Sequence, residues 1–196
     1  MKRVLLLIAF IAGINSGYCQ QNKEQLFIKT VNEVITAFSK QDSVAANKLI
    51  QPKTGLYHIH TMGVYDVIAH VNTIPFFSNG YPDVLFSLAD SIVSAPIQFT
   101  SSLPGFDCGT EKWSNTGVYT NRKIYHPLSN IIKYLKKIEN PYYRFGDMQA
   151  CLRLEKISRK IIAVDKKGRS LVFYLSYINQ KWWLTIIDNA MADCSA

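Results

Sequence analysis

The sequence predicts one α+β domain, with helices first and a curved antiparallel sheet last. Three observations carry that expectation. Apolar residues recur at helical spacing over 21–39 and again from Pro127 to Ile138, whereas the chain from Met148 onward takes on strand grammar. No repeat, low-complexity tract or linker divides the 196 residues. At 48% hydrophobic and 18% charged, the composition is ordinarily globular and long enough to bury a core.

The first stretch, MKRVLLLIAFIAGINSGYCQ, stands apart from that domain. Lys2 and Arg3 precede an apolar run from Val4 to Ile14, and Asn15, Ser16 and Gly17 follow. A basic end, a short apolar segment and a small-residue exit form a secretory signal peptide, so residues 1–19 are expected to leave and 20–196 to form the mature domain. The run is too short to remain as a membrane span. Tyr18 stands where a lipoprotein peptidase wants a small residue, so cleavage after Cys19 fits better than lipidation of it. Export to the periplasm or beyond is expected, with membrane contact only if Cys19 were lipid-anchored.

Gln21 to Ser39 reads as a helix through Phe27, Val31, Val34, Ile35 and Phe38. Asp42 is a candidate cap for a second, short helix ending near Ile50 and stopped by Pro52. TGLYHIHTMG (54–63) reads as a strand, and residues 63–74 return to helical spacing with Val64, Val67, Ile68 and Val71 on one side. A further helix is expected from Pro82 to Ile92, and the Pro- and Gly-rich stretch 94–122 promises at most short strands. Pro127 opens the clearest amphipathic helix, with Leu128, Ile131, Ile132, Leu135 and Ile138 opposite Lys133, Lys136 and Lys137. A long strand from Met148 to Val164, the turn DKKGR, and the hairpin SLVFYLSYI/KWWLTIID about Asn179–Gln180 complete the chain.

A two-residue loop at Asn179–Gln180 sets the register of that hairpin. Tyr177 then faces Trp182, Leu175 faces Leu184 and Phe173 faces Ile186, an apolar side that must pack on the helices. The other side pairs Ser176 with Trp183, Tyr174 with Thr185 and Val172 with Ile187. A face of rings and hydroxyls lines a cavity, meets a partner, or lies under a covering loop or helix.

Export leaves Cys108, Cys151 and Cys194 in a compartment that permits disulfides. Cys108 lies in a Gly-containing loop and Cys194 in the tail, whereas Cys151 interrupts an expected strand. Cys108–Cys194 is the expected pair, set against the alternative that all three are small buried hydrophobes. The formal charge is +8, and it is uneven: residues 112–181 hold fifteen Lys or Arg against four Asp or Glu. Such a surface attracts anions, although lysines on solvent faces are also the commonest reason for it. No stacking aromatics are threaded through the basic run, and nucleic acid is not an expected partner.

His58 and His60, two apart on a strand, point to one side and could begin a metal site, but His70, His126 and Asp66 sit at no recognised ligand spacing. Asp66 and His70, four apart, would touch on a helix, on its solvent side. There is no nucleophile elbow, glycine-rich phosphate loop or paired-cysteine knuckle, so no cofactor, metal or catalytic residue is assigned.

Two N-terminal helices, a strand, further helices and a curved sheet ending in FYLSYINQKWWLTIID resemble the nuclear transport factor two-like (NTF2-like), or cystatin-like, roll. More narrowly, FDCGTEKWSNTG, HPLSNIIKYL and WWLTIIDNAMADCSA are similar to a group of secreted bacterial proteins of unknown function, over most of the mature chain. The resemblance implies a fold that hosts isomerases, hydrolases, dehydratases and binding modules. Enzymes of the roll place a carboxylate, sometimes with a histidine, inside a cone; no such pair aligns onto this chain. The expectation is an exported, non-enzymatic binding or accessory module holding a small apolar ligand or an anionic envelope component. Its candidate ligand-binding residues are Tyr174, Ser176, Trp183, Thr185, His58 and His60. The alternative is a small-molecule isomerase, hydrolase or hydratase with Asp66, His58, His60 or His70 as base.

Overall fold

A mixed sheet of seven strands organises the chain, in the order β2-β1-β11-β10-β9-β8-β5. The computed structural model describes residues 2–78, 81–82, 95–140 and 147–194, with side chains for 20–77, 95–140 and 147–194. Its helices are α1 (Lys2–Ser39), α2 (Ser43–Asn47), α3 (Pro127–Lys137) and α4 (Met148–Lys156). The large sheet comprises β1 (Leu56–Met62), β2 (Tyr65–Val71), β5 (Ile97–Phe99), β8 (Gly117–Thr120), β9 (Ser158–Val164), β10 (Ser170–Ile178) and β11 (Lys181–Asp188). Two short ribbons lie outside it, β3 (Phe77–Ser78) with β4 (Tyr81–Pro82), and β6 (Phe106–Asp107) with β7 (Lys112–Trp113). The fold is α+β, and the sheet is open rather than closed. It is not wholly antiparallel: β1 lies parallel to β11, and β5 parallel to β8.

The helix expected over 21–39 is the latter part of α1, and its apolar stripe (Phe27, Val31, Val34, Ile35, Phe38) is fully buried. Together with α2 it covers one sheet face, against Leu56, Ile161, Ala163, Leu171, Phe173, Leu175, Leu184 and Ile187. Asp42 caps α2 by accepting a 2.9 Å bond from the Ala45 amide. Asn47 and Ser43 then hold the chain beyond β2, accepting from the amides of Ile74 (2.7 Å) and Phe76 (3.3 Å).

The opposite face is covered as well. Leu128 and Ile132 of α3, with Cys151 and Leu154 of α4, pack on Ile59, Tyr174 and Ile186. Farther along, Trp113, Leu103, Phe106 and Met191 lie over Ile162, Val164 and Val172. The side carrying the rings and hydroxyls of β10 and β11 is therefore interior, not bare.

Two of the expected elements change, and a third falls largely outside the described residues. Residues 63–74 form not a helix but a turn and β2, which pairs with all seven residues of β1 from Leu56↔Val71 to Met62↔Tyr65. The valines that fit helical spacing are β-branched, and a ready partner strand satisfies their backbone better. Residues 148–156 form α4 rather than the first half of a strand; Asp147 caps it by accepting from the Gln149 amide at 2.8 Å. Cys151 and Leu154 thus share a helix face, with buried Glu155 one position on. The helix expected over 82–92 lies outside the described residues beyond Pro82, which belongs to β4.

The hairpin keeps the expected register only near its turn. Asn179 and Gln180 have φ of 50° and 61°, as a two-residue loop of the right-handed ribbon requires. Tyr177↔Trp182, Ser176↔Trp183 and Leu175↔Leu184 pair as expected. A bulge then leaves Thr185 over, so that Tyr174 meets Ile186 and Phe173 meets Ile187. Ile186 accordingly joins the α3–α4 side and Ile187 the α1 side.

Candidate functional site

The expected ligand-binding residues fall into two groups, neither lining a described hollow. Tyr174, Ser176 and Thr185 are sealed beneath the second helical layer. The Ser176 hydroxyl lies 2.6 Å from those of both Ser158 and Thr185, a chain of hydroxyls satisfied among themselves. Half-buried Trp183 donates its indole N–H to the Ile178 carbonyl at 3.2 Å and carries the Lys181 ammonium 3.8 Å above its ring.

His58 and His60 do point the same way, with rings stacked at 5.1 Å. His58 is buried, its Nε2 3.0 Å from the Asn189 amide nitrogen, while the Nδ1 of His60 is buried with no partner. Asp66 and His70 lie on β2, not on a helix; Asp66 accepts from the Thr61 hydroxyl at 3.2 Å, and His70 Nε2 lies 2.8 Å from the Thr54 carbonyl. Among the described residues, no three His, Cys, Asp or Glu side chains converge as metal ligands. The expected disulfide joins Cys108 to Cys194, and Cys151 is free and buried. Burial pushes the Cys151 thiol up to about 11, with Glu155 and then Asp147 adding to the effect, so it is a poor nucleophile.

The chemistry concentrates elsewhere. A cleft of about 280 Å³ opens where α1, the α4–β9 junction and the turn end of the hairpin meet. Lys23, Arg122, Lys156 and Arg159 line it, together with Tyr177, Trp182, Ile124 and Ile157. Each piece is held for a visible reason. Trp182 is nearly buried; its indole N–H donates to the Lys23 carbonyl at 3.0 Å and its ring meets Phe27 edge-on at 5.0 Å. The Tyr177 amide donates to the Ile157 carbonyl at 3.1 Å, tying the hairpin to the end of α4.

Over these rings sit the cations. The Lys23 ammonium lies 4.1 Å from the centre of the Tyr177 ring and 5.5 Å from that of Trp182. The Arg159 guanidinium lies 4.2 Å from Phe27 and 5.4 Å from Trp182. Glu24 is the carboxylate that answers them, forked onto Arg159 and reaching Arg122 at 3.5 Å. Among the described residues, one carboxylate beside four cations leaves a surplus positive charge next to ring faces. That combination recognises an anion carrying a planar or apolar part. The side chain of Arg159 is only 13% exposed, so its charge is less screened than that of a surface lysine.

A larger hollow of about 760 Å³ runs between α1 and α2. Its lysines 29, 40, 48 and 181 are interleaved with Glu33 and Asp42, and Lys29 pairs with Glu33 at 3.7 Å. No ring lines it, and its charges face solvent rather than converging. It is a broad groove between helices, whereas the smaller cleft has the convergent groups of a binding site.

A second polar cluster is enclosed beneath the C-terminal turn Ala190–Ala192. Lys160 is 7% exposed, with its ammonium 2.9 Å from the Met191 thioether and 5.2 and 5.6 Å from the rings of Tyr125 and Tyr174. Burial lowers its pKa, against a weaker opposing pull from Asp188. Asp188 is pushed upward by burial, partly offset by Lys160. The signal that would have found the cleft was the aromatic turn flanked by cations; its partners on α1 and after β8 are too distant in sequence for any local motif.

No protein family, curated protein or solved structure matches this chain.

Proposed function

We propose that this chain is an exported binding module that holds a small organic anion, one with an acidic head and a ring or apolar tail, in the cleft between α1 and the hairpin turn. The observation that carries the reading is four cations lining one cleft, two of them, Lys23 and Arg159, set over its aromatic rings, with Glu24 as the nearby counter-charge. The acidic head lies between Lys23, Arg122 and Lys156, and the ring lies on Tyr177. The cleft's size suits a ligand no larger than a monocyclic acid or phosphate. A disulfide between Cys108 and Cys194 is compatible with an oxidising, extracytoplasmic setting. The strand order β2-β1-β11-β10-β9-β8, with β1 parallel to β11 and two helices ahead of them, supports assigning the domain to the NTF2-like, cystatin-like rolls.

Phenyl phosphate, phenol and inorganic phosphate make the test, titrated separately by calorimetry. Phenyl phosphate should bind at least about 5-fold more tightly than either fragment, since charge and ring contacts contribute separately. Its affinity should fall as salt rises, and the Lys23→Met and Tyr177→Ala variants should each weaken it. Equal binding of phenol and phenyl phosphate, or affinity untouched by both variants, would reject the cleft.

A further inference from the structure

The enclosed cluster around Lys160 does not take part in the cleft and calls for its own account. Lysine is rarely buried without a carboxylate partner. Among the described residues, no acidic oxygen lies within 4.0 Å of the ammonium; its contacts are the Met191 thioether, a weak acceptor, and the faces of Tyr125 and Tyr174. The groups facing it come from several elements: Lys160 from β9, Tyr174 from β10, Asp188 from β11, and Tyr125 from the segment after β8. Asn121 donates to the Tyr125 hydroxyl at 2.8 Å and holds that ring in place. Asp66 of β2 and Glu155 of α4 act at longer range, the first on Asp188 and the second on Tyr174.

The cover is thin. Residues 189–194 turn back over the cluster as a single 3-10 turn, Ala190–Ala192, and the Met191 thioether reaches the ammonium. The Met191 amide donates to Asp188 at 3.2 Å, the Asn189 amide donates to the Ile59 carbonyl at 2.9 Å, and Cys194 is bonded to Cys108. An open hollow of about 520 Å³, lined by Phe106, Arg169, Asn189 and Asp193 among others, adjoins this turn. There is space for the turn to swing, and a covalent tether that restrains it.

We propose that Lys160 is a nucleophilic amine held in reserve beneath the Cys108–Cys194-tethered turn, able to condense with a small aldehyde when Met191 is displaced. The chemistry balances without any further reagent. The lone pair of the neutral Lys160 amine adds to the carbonyl carbon, and the carbonyl oxygen takes a proton from the Asp188 carboxyl, giving a carbinolamine. The positively charged nitrogen of that adduct returns a proton to the Asp188 carboxylate, which passes it to the hydroxyl. The nitrogen lone pair then expels water, and the iminium gives its remaining proton back to Asp188, so that aldehyde and amine become imine and one water and the carboxyl ends as it began. Burial favours both required states, an uncharged amine and a protonated carboxyl. The aromatic walls suit an uncharged aldehyde and not the anion proposed for the cleft, so the two proposals fail separately.

Acetaldehyde with sodium cyanoborohydride at pH 7 provides the test, with N-ethylation mapped by mass spectrometry on the full chain. An ordinary solvated lysine is neutral in only about one molecule in 2,500 at that pH, and each unit of lowering raises the reactive fraction tenfold. In the Met191→Ala variant Lys160 should be ethylated at least tenfold faster than the exposed Lys133 and Lys137. Reducing the disulfide, or the paired Cys108→Ser and Cys194→Ser changes, should speed it relative to the oxidised parent. Lys160→Met should lose that adduct and no other. Near-UV circular dichroism checks that the fold persists, and if the cysteine variants unfold, Met191→Ala alone decides. Lys160 reacting no faster than Lys133 in folded Met191→Ala protein, or reacting only as the near-UV signal disappears, would overturn the proposal.

Discussion

Replacing Glu155 with alanine should be the most damaging single change outside the apolar core. Helix α3 begins at Pro127 without a cap of its own, because the His126 side chain makes no capping hydrogen bond. The missing acceptor comes from α4. Glu155, 1% exposed, accepts from the Ser129 amide at 2.8 Å, from the Ser129 hydroxyl at 2.8 Å, and from His126 Nδ1 at 3.1 Å. Removing it leaves the Ser129 amide and hydroxyl buried with no acceptor and empties space between the two helices. A buried donor stripped of a charged partner costs about 1–3 kcal/mol, and two such losses that partly overlap give about 3–5 kcal/mol. In a domain of this size that corresponds to a fall in Tm of roughly 10 °C. Thermal and urea unfolding followed by circular dichroism measure it. Glu155→Gln should fall between, because a carbonyl oxygen still reaches the Ser129 amide. His126→Ala removes only a half-exposed contact and should cost about 1 kcal/mol or less. A loss below about 1 kcal/mol in Glu155→Ala would refute the idea that α4 caps α3.

The Cys108–Cys194 bridge closes a loop of sequence separation 86, so the chain-entropy relation gives about 4.6 kcal/mol of stabilisation, which reduction should remove in large part; urea midpoints with and without a reductant compare the two states, and unchanged midpoints would contradict it. Asp188 has its pKa raised above the ordinary 3.8 by burial, so the folded state favours its protonated form, and the stability it contributes is present below that value and lost as pH rises through the folded pKa. Asp188→Asn should therefore be near-neutral at about pH 3.5 and increasingly stabilising toward neutral pH, and a gain independent of pH would show that its burial is not what matters.

Local patterns revealed the elements whose stability is local. The stripe of α1, the Asp42 cap, Pro127 at the head of α3 and the Asn179–Gln180 turn are each decided by side chains within a few residues. The errors occur where a distant partner decides. Val64, Val67, Ile68 and Val71 satisfy a helical period, yet β1 supplies seven residues of pairing that no local window displays. Met148, Cys151 and Leu154 carried a helical stripe behind a capping Asp147, but the strand-like run after them hid it. Thr185 is a bulge because Ile186 and Ile187 must enter different cores, a demand set by α3 and α1 rather than by the hairpin.

The cleft shows the same limit for function. Lys23 and Glu24 come from α1, Arg122 from the segment after β8, Lys156 from α4, Arg159 from β9, and Tyr177 and Trp182 from the hairpin. The basic bias of residues 112–181 was visible in the sequence, but a bias becomes a site only where its charges converge beside something that orients a ligand. Three of those cations come from the basic stretch, while the fourth, Lys23, lies in the less basic half. The antiparallel pairing of β10 with both β9 and β11 sets Arg159, Tyr177 and Trp182 side by side, and the indole bond from Trp182 to the Lys23 carbonyl fixes α1 against them. Trp182 therefore does two jobs, anchoring the helix through its nitrogen and offering its ring to the cations. Trp182→Phe separates them: the ring survives, the bond to α1 does not, and phenyl phosphate affinity should fall through a displaced Lys23 while the free energy of unfolding drops by only about 1 kcal/mol. Affinity unchanged in Trp182→Phe would mean that Lys23 is placed by the rest of α1 and that the indole bond is incidental to the site.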